Sequence, residues 1–140
     1  MSKILQTALR IAVKAHEGQV DRAGKSYIYH PLSVAAMTSS YDEFVTALLH
    51  DVLEDSDYTA ADLRAEGIPE HIVDALLLLS HEKNEPYMEY IARIKENELA
   101  RSVKIADLTH NSDLSRLPSV SSKDLERAKK YRQALEYLSE

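Results

Sequence analysis

The sequence from Phe44 to Asp55 runs Phe44-Val45-Thr46-Ala47-Leu48-Leu49-His50-Asp51-Val52-Leu53-Glu54-Asp55. Its large apolar members fall in pairs one helical turn apart, at Phe44-Val45, Leu48-Leu49 and Val52-Leu53. That spacing predicts an amphipathic helix, which Asp42 is placed to cap. The same period extends outward on both sides. Toward the N-terminus, Pro31 suits the first turn of a helix carrying Leu32, Val34, Ala35 and Met37. A polar loop over 18–29 precedes it. Before that loop, Ile4, Leu5, Ala8, Leu9, Ile11, Ala12 and Ala15 predict a helix to about His16, which Gly18 ends.

Toward the C-terminus, Thr59 with Asp62 resembles a capping box, and Gly67 closes that short helix. Pro69 starts the next, whose Ile72, Val73, Ala75 and Leu76–Leu79 read as deeply buried. After the polar break His81–Glu85, Pro86 opens a helix with Tyr87, Tyr90, Ile91 and Ile94. Leu99, Val103, Ile105, Ala106 and Leu108 mark another. Ser122 is placed to cap the last, which bears Leu125, Ala128, Tyr131, Leu135 and Leu138. No stretch of useful length alternates with period two, and Tyr27-Ile28-Tyr29 reads as loop. The expected architecture is all-α, a single compact helical bundle over residues 1–140.

Composition narrows the function. The 140 residues are 44% hydrophobic and 29% charged, the size of one domain with a core of its own. The chain has no Cys, which excludes a disulfide scaffold, a thiolate zinc site and a cysteine nucleophile. A net charge of −6 argues against a nucleic-acid partner, where phosphate neutralisation dominates affinity. The N-terminus shows no signal-peptide pattern, and the longest apolar runs fall far short of the about 18 residues of a membrane span. A soluble cytoplasmic protein with no membrane partner is expected; its apolar helices leave room for a homodimer.

Two groups of polar residues break the apolar pattern. His50-Asp51 interrupts the central run, and Glu54-Asp55 follow within one turn, so an imidazole and three carboxylates project from neighbouring positions. Crowded carboxylates beside an apolar run need a compensating cation, and a divalent metal supplies one. The second group is Val103-Lys104-Ile105-Ala106-Asp107-Leu108-Thr109-His110-Asn111, where Asp107, His110 and Asn111 lie within one turn. His30, just before Pro31, is a third candidate. Imidazole with carboxylate oxygen suits manganese, iron, zinc or magnesium-like chemistry.

Together with Ala15-His16-Glu17-Gly18-Gln19 and Tyr27-Ile28-Tyr29-His30-Pro31-Leu32, these stretches resemble the HD superfamily of metal-dependent phosphohydrolases. More closely, they are similar to the (p)ppGpp hydrolase domain of RelA/SpoT proteins and their small stand-alone relatives. The resemblance covers residues 1 to about 117. It implies that His30, His50, Asp51 and Asp107 bind one divalent ion, usually manganese, and that Glu54 and Asp55 activate or orient the attacking water. It further implies a nucleotide substrate, with Asn111 lining its site and 3′-pyrophosphate removal from (p)ppGpp as the activity. Arg22, Lys25, Lys104 and Lys83 are the basic groups available for phosphate, and Tyr27 matches a family position. His16 and His110 are candidates to support the ligands, whereas His71 and His81 read as structural.

The chain departs from that family at Asp21 and Arg22, which occupy two basic positions, at Ser26 in place of Pro, and at Ser112-Asp113-Leu114 after Asn111. It is also shorter than the usual stand-alone hydrolases. Acid replaces base twice near a polyphosphate, which lowers affinity unless the charge is rebuilt elsewhere. A phosphohydrolase for another nucleotide or phosphorylated cofactor is therefore the second reading, and a non-catalytic metal-dependent nucleotide-binding module the third.

Overall fold

The computed structural model describes residues 2–140 as nine α-helices and one 3₁₀ turn. The helices are α1 (Lys3–Ala15), α2 (Tyr29–Ala36), α3 (Tyr41–Leu49), α4 (Val52–Asp55), α5 (Ala60–Ala65), α6 (Glu70–Leu79), α7 (Tyr87–Lys95), α8 (Glu98–Asn111) and α9 (Ser122–Ser139). The 3₁₀ turn is Leu114–Arg116. Among the described residues there is no strand, only an isolated bridge between Val20 and Ser26 inside the 18–29 loop. No helix among them is long and apolar enough to cross a membrane.

α8 is the hub. It packs against α2, α3, α6, α7 and α9, and α3 packs in turn against α1 and α2. The core between them holds Ile11, Val34, Leu48, Leu49, Ile72, Leu76, Ile91, Ile94, Val103 and Leu108, all buried. Each such side chain contributes about 1.5–3 kcal/mol by leaving water. The bundle brings the N-terminal part of α2, the end of α3 and one face of α8 to a common place.

Several sequence expectations shift in detail. The cap of α3 is Ser40, whose hydroxyl accepts from the Glu43 N–H, rather than Asp42. Asp42 instead pairs with His71 at 2.8 Å on the surface. The cap of α9 is Ser121, in a capping box with Asp124, rather than Ser122. The four leucines of α6 do not all enter the core: Leu77 is 45% exposed, because successive residues turn by a quarter of the helix or more. The helix expected to run through His50-Asp51 is divided there into α3 and α4.

Candidate metal centre and substrate cleft

The break between α3 and α4 is made by the two residues the sequence singled out. His50 stays helical in its backbone, but Asp51 has φ −102 and ψ 0, in the sparsely populated bridge region. His50 Nδ1 lies 2.6 Å from the Ala47 carbonyl oxygen, so that nitrogen carries the hydrogen and donates it. Its Nε2 is left facing inward, buried and without a hydrogen-bond partner. That atom sits 3.0 Å from Asp51 Oδ2 and 3.3 Å from Asp107 Oδ1. Burial pulls the His50 pKa down, yet the charges of Asp51 and Asp107 hold it well above the ordinary value. Two carboxylates thus call for a cation at Nε2, whether a proton or a metal.

His30, in the first turn of α2, completes the arrangement. Its Nε2 is 2.8 Å from Asp107 Oδ1 and 3.7 Å from Asp51 Oδ2. The ligand-type atoms of His30, His50 and Asp107 lie within 4.8 Å of one another, and all three residues are buried. Asp51 stands at the edge of this trio, reaching both imidazoles through the same oxygen that accepts the Tyr27 hydroxyl at 2.6 Å. Two imidazoles with carboxylate oxygens and no thiolate form a donor set that could hold a divalent metal ion, and the orphaned His50 Nε2 fits that use.

α8 supplies Asp107 and the groups that hold it. Lys104 Nζ donates to Asp107 Oδ2 at 2.9 Å, and Asn111 Nδ2 donates to Oδ1 at 3.0 Å. These residues share one face of the helix at one- and two-turn spacings. Burial opposes ionisation of Asp107, but Lys104 and then His50 hold its carboxyl well below the carboxylate range. Lys104 responds in kind: burial lowers its pKa, and Asp107 with Tyr90 and Tyr87 raises it well above the ordinary value. Burial also opposes ionisation of Asp51, and the His50 charge nevertheless brings it down to about 2.

His30, Asp51 and Asp107 line a cleft of about 550 Å³, and His50 is buried. Glu54 and Asp55 line one wall. Glu54 Oε1 accepts the His81 backbone N–H at 2.7 Å. Burial, followed by the charges of Asp51 and Glu54, pushes the Asp55 carboxyl up to about 6. Another wall is aromatic and basic. The His81 ring stacks on Tyr90 with centroids 4.5 Å apart, and Lys130 Nζ lies 4.3 Å from the centre of the Tyr87 ring. Arg127 and Tyr131 of α9 and Arg116 of the 3₁₀ turn also line the space.

Of the residues singled out for substrate, Arg22, Tyr27, Lys104 and Asn111 line the cleft, while Lys25 and Lys83 are exposed outside it. Tyr27, Lys104 and Asn111 are each bonded to Asp51 or Asp107, so they hold the carboxylates of the cluster as well as face the cleft. His110 touches His30 through Nδ1 atoms 2.8 Å apart, and His16 lies against the Tyr27 ring at 4.9 Å. His81, read from sequence as structural, stands in the cleft wall beside Glu54. Arg116, Arg127, Lys130, Tyr87 and Tyr131 were missed. The one available signal was the spacing of Arg127, Lys130 and Tyr131 at three and four residues along α9.

The two departing acids have local structural uses. Asp21 Oδ1 accepts the backbone N–H of Ala23 at 2.9 Å and of Lys25 at 3.0 Å, closing the loop turn. Asp113 caps the 3₁₀ turn through Ser115, whose N–H and hydroxyl are 3.0 and 2.6 Å away. Arg116 lies 3.9 Å from Asp21 and donates to the His110 carbonyl at 3.3 Å.

No protein-family model matches the chain. Among curated proteins it is 35% identical, over 72% of its length, to a guanosine-3′,5′-bis(diphosphate) 3′-pyrophosphohydrolase of Haemophilus influenzae. It is 32% identical, over 78% of its length, to the bifunctional (p)ppGpp synthase/hydrolase SpoT of Escherichia coli. A probable GTP pyrophosphokinase of Mycobacterium leprae is 32% identical over 97% of the chain. The chain spans only 17–18% of the length of these relatives. A solved structure, described as a metazoan orthologue of SpoT that hydrolyses ppGpp, superimposes with a TM-score of 0.80 over 99% of this chain and 86% of the other. At 19% identity that likeness establishes the all-α fold.

Proposed function

We propose that this chain belongs to the SpoT/RelA family of HD-type domains and is a metal-dependent phosphohydrolase acting on a nucleotide, with 3′-pyrophosphate removal from (p)ppGpp as the reaction. Residues 1–140 act as one domain in this reading. The observation that carries it is the convergence of His30, His50, Asp51 and Asp107 at a cleft lined by three of them together with Glu54 and Asp55. These four residues hold one divalent ion, manganese in this proposal. Such an ion, when bound, polarises a phosphate oxygen and makes water acidic.

The chain's own residues do the rest. Asp55, with its carboxyl near the neutral range, accepts the proton of the attacking water. Glu54, held by the His81 N–H, orients that water. Lys104, Arg22, Arg127 and Lys130 meet the phosphate charge as it develops. The acids Asp21 and Asp113 in the cleft lining favour the second reading, in which the same machinery serves another nucleotide.

The test is a nucleotide panel that includes ppGpp, presented to the manganese-loaded protein with product identification. Release of pyrophosphate from ppGpp is the expected result. Binding without any release of phosphate or pyrophosphate from the panel overturns the enzyme reading in favour of a binding module. The variant Asp55→Asn should lose about 10²–10⁴-fold in kcat while keeping its metal, the range for removal of a general base. Turnover within about threefold of the unaltered protein would overturn the role given to Asp55.

A further inference from the structure

The stretch His16-Glu17-Gly18-Gln19 has no part in the chemistry above. It follows directly on α1, and Gly18 at φ +80 takes the left-handed conformation that turns the chain back. Gln19 N–H then donates to the His16 carbonyl at 3.0 Å, and the Gln19 side chain folds back on the end of α1.

Every atom of the Gln19 amide head is used. Its Nε2 donates to the Ala15 carbonyl at 3.1 Å and to the Asp55 carbonyl at 2.9 Å. Its Oε1 lies 2.9 Å from His16 Nδ1, and an amide oxygen only accepts, so His16 carries the hydrogen there. The buried His16 ring packs against Tyr27 and is held in place. The Asp55 carbonyl ends a helix of four residues, where no intrahelical donor remains and one turn does not sustain itself. Gln19 therefore ties the end of α1 to the end of α4.

We propose that Gln19, with its amide orientation locked by His16, is a positioning residue that fixes where the Asp55 carboxylate stands in the cleft. The proposal rests on the phosphohydrolase reading for its functional consequence, though not for its geometry. A displacement of about 1 Å at a catalytic group costs on the order of 10²-fold in rate.

The experiment compares the full chain with four variants. Gln19→Glu keeps the shape and the acceptor for His16 but removes both N–H donors, and Gln19→Met fills the space with no donor should the first variant fold poorly. His16→Leu releases the amide, while His16→Asn retains an N–H close to the Nδ1 position. The Gln19 variants should lose about ten- to a hundredfold in kcat, with KM and manganese stoichiometry unchanged. His16→Leu should move the same way, and His16→Asn should recover most of the loss.

In metal-free protein, hydrogen exchange at the Asp55 and Ser56 amides should accelerate in both Gln19 variants. Unchanged kcat with unchanged exchange overturns the proposal, as does a rate loss accompanied by loss of metal. If the unaltered protein turns over no nucleotide, the phosphohydrolase reading fails. The exchange measurement then still decides whether Gln19 holds α4.

Discussion

The Nδ1 atoms of His30 and His110 lie 2.8 Å apart, so one carries a hydrogen and the other accepts it. Burial, with the neighbouring His30 and Arg116, pushes His110 down to about 4, which keeps its ring neutral in neutral solution. A neutral His110 accepting through Nδ1 leaves the hydrogen on His30 Nδ1 and the His30 Nε2 lone pair free for a cation. Partners that fix a ligand's tautomer in this way typically account for about 10–100-fold in metal affinity. His110→Ala should weaken manganese binding by about that factor in a calorimetric titration. Unchanged affinity would show that His30 needs no such partner. The sequence placed His110 three residues after Asp107 but gave no sign of its contact with His30, 80 positions away.

At the scale of elements, the helices were legible wherever an apolar stripe repeats, and their ends were legible to within a residue or two. The capping serines at 40 and 121 were missed because each sits beside a second plausible cap, and only backbone geometry chooses between them. The break at His50-Asp51 was hidden because apolar spacing continues across it. The residues of the His/Asp cluster were legible because they lie within a turn of one another or join a short motif, whereas the α9 contribution depends on packing that no local pattern encodes. In α9, Asp124 is held down to about 2 by the Ser121 backbone N–H, then by Arg127 and the Ser121 hydroxyl. The unfolded chain titrates this group near pH ~3.9, so the folded state binds fewer protons. The stabilisation is therefore complete above about pH 4 and is lost as pH falls toward 2. Asp124→Asn should flatten that part of the acid limb in urea unfolding followed against pH, and an unaltered limb would remove the capping box from the stability of α9.

For the whole molecule, an acidic chain of net charge −6 concentrates some of its carboxylates where three parts of the bundle meet. His30 comes from α2, His50 and Asp51 from the junction of α3 with α4, and Asp107 from α8, the helix against which most others pack. A cation held by these side chains would offset buried negative charge and tie those elements together, which would couple its binding to folding. At a free concentration of 100 times Kd, an ion that binds only the folded state adds about 2.7 kcal/mol. For a domain of this size that is a rise of about 5–10 °C in Tm. Manganese added to chelator-treated protein should raise Tm by that amount in a thermal melt. His50→Ala and Asp51→Ala should abolish the shift, because each removes a donor from the cluster. Glu54→Ala should keep it, because Glu54 bonds the His81 backbone and lies outside the buried trio of His30, His50 and Asp107. A shift that survives His50→Ala would place the ion elsewhere, and no shift in the unaltered protein would mean that a proton on His50, with Lys104, balances the carboxylates.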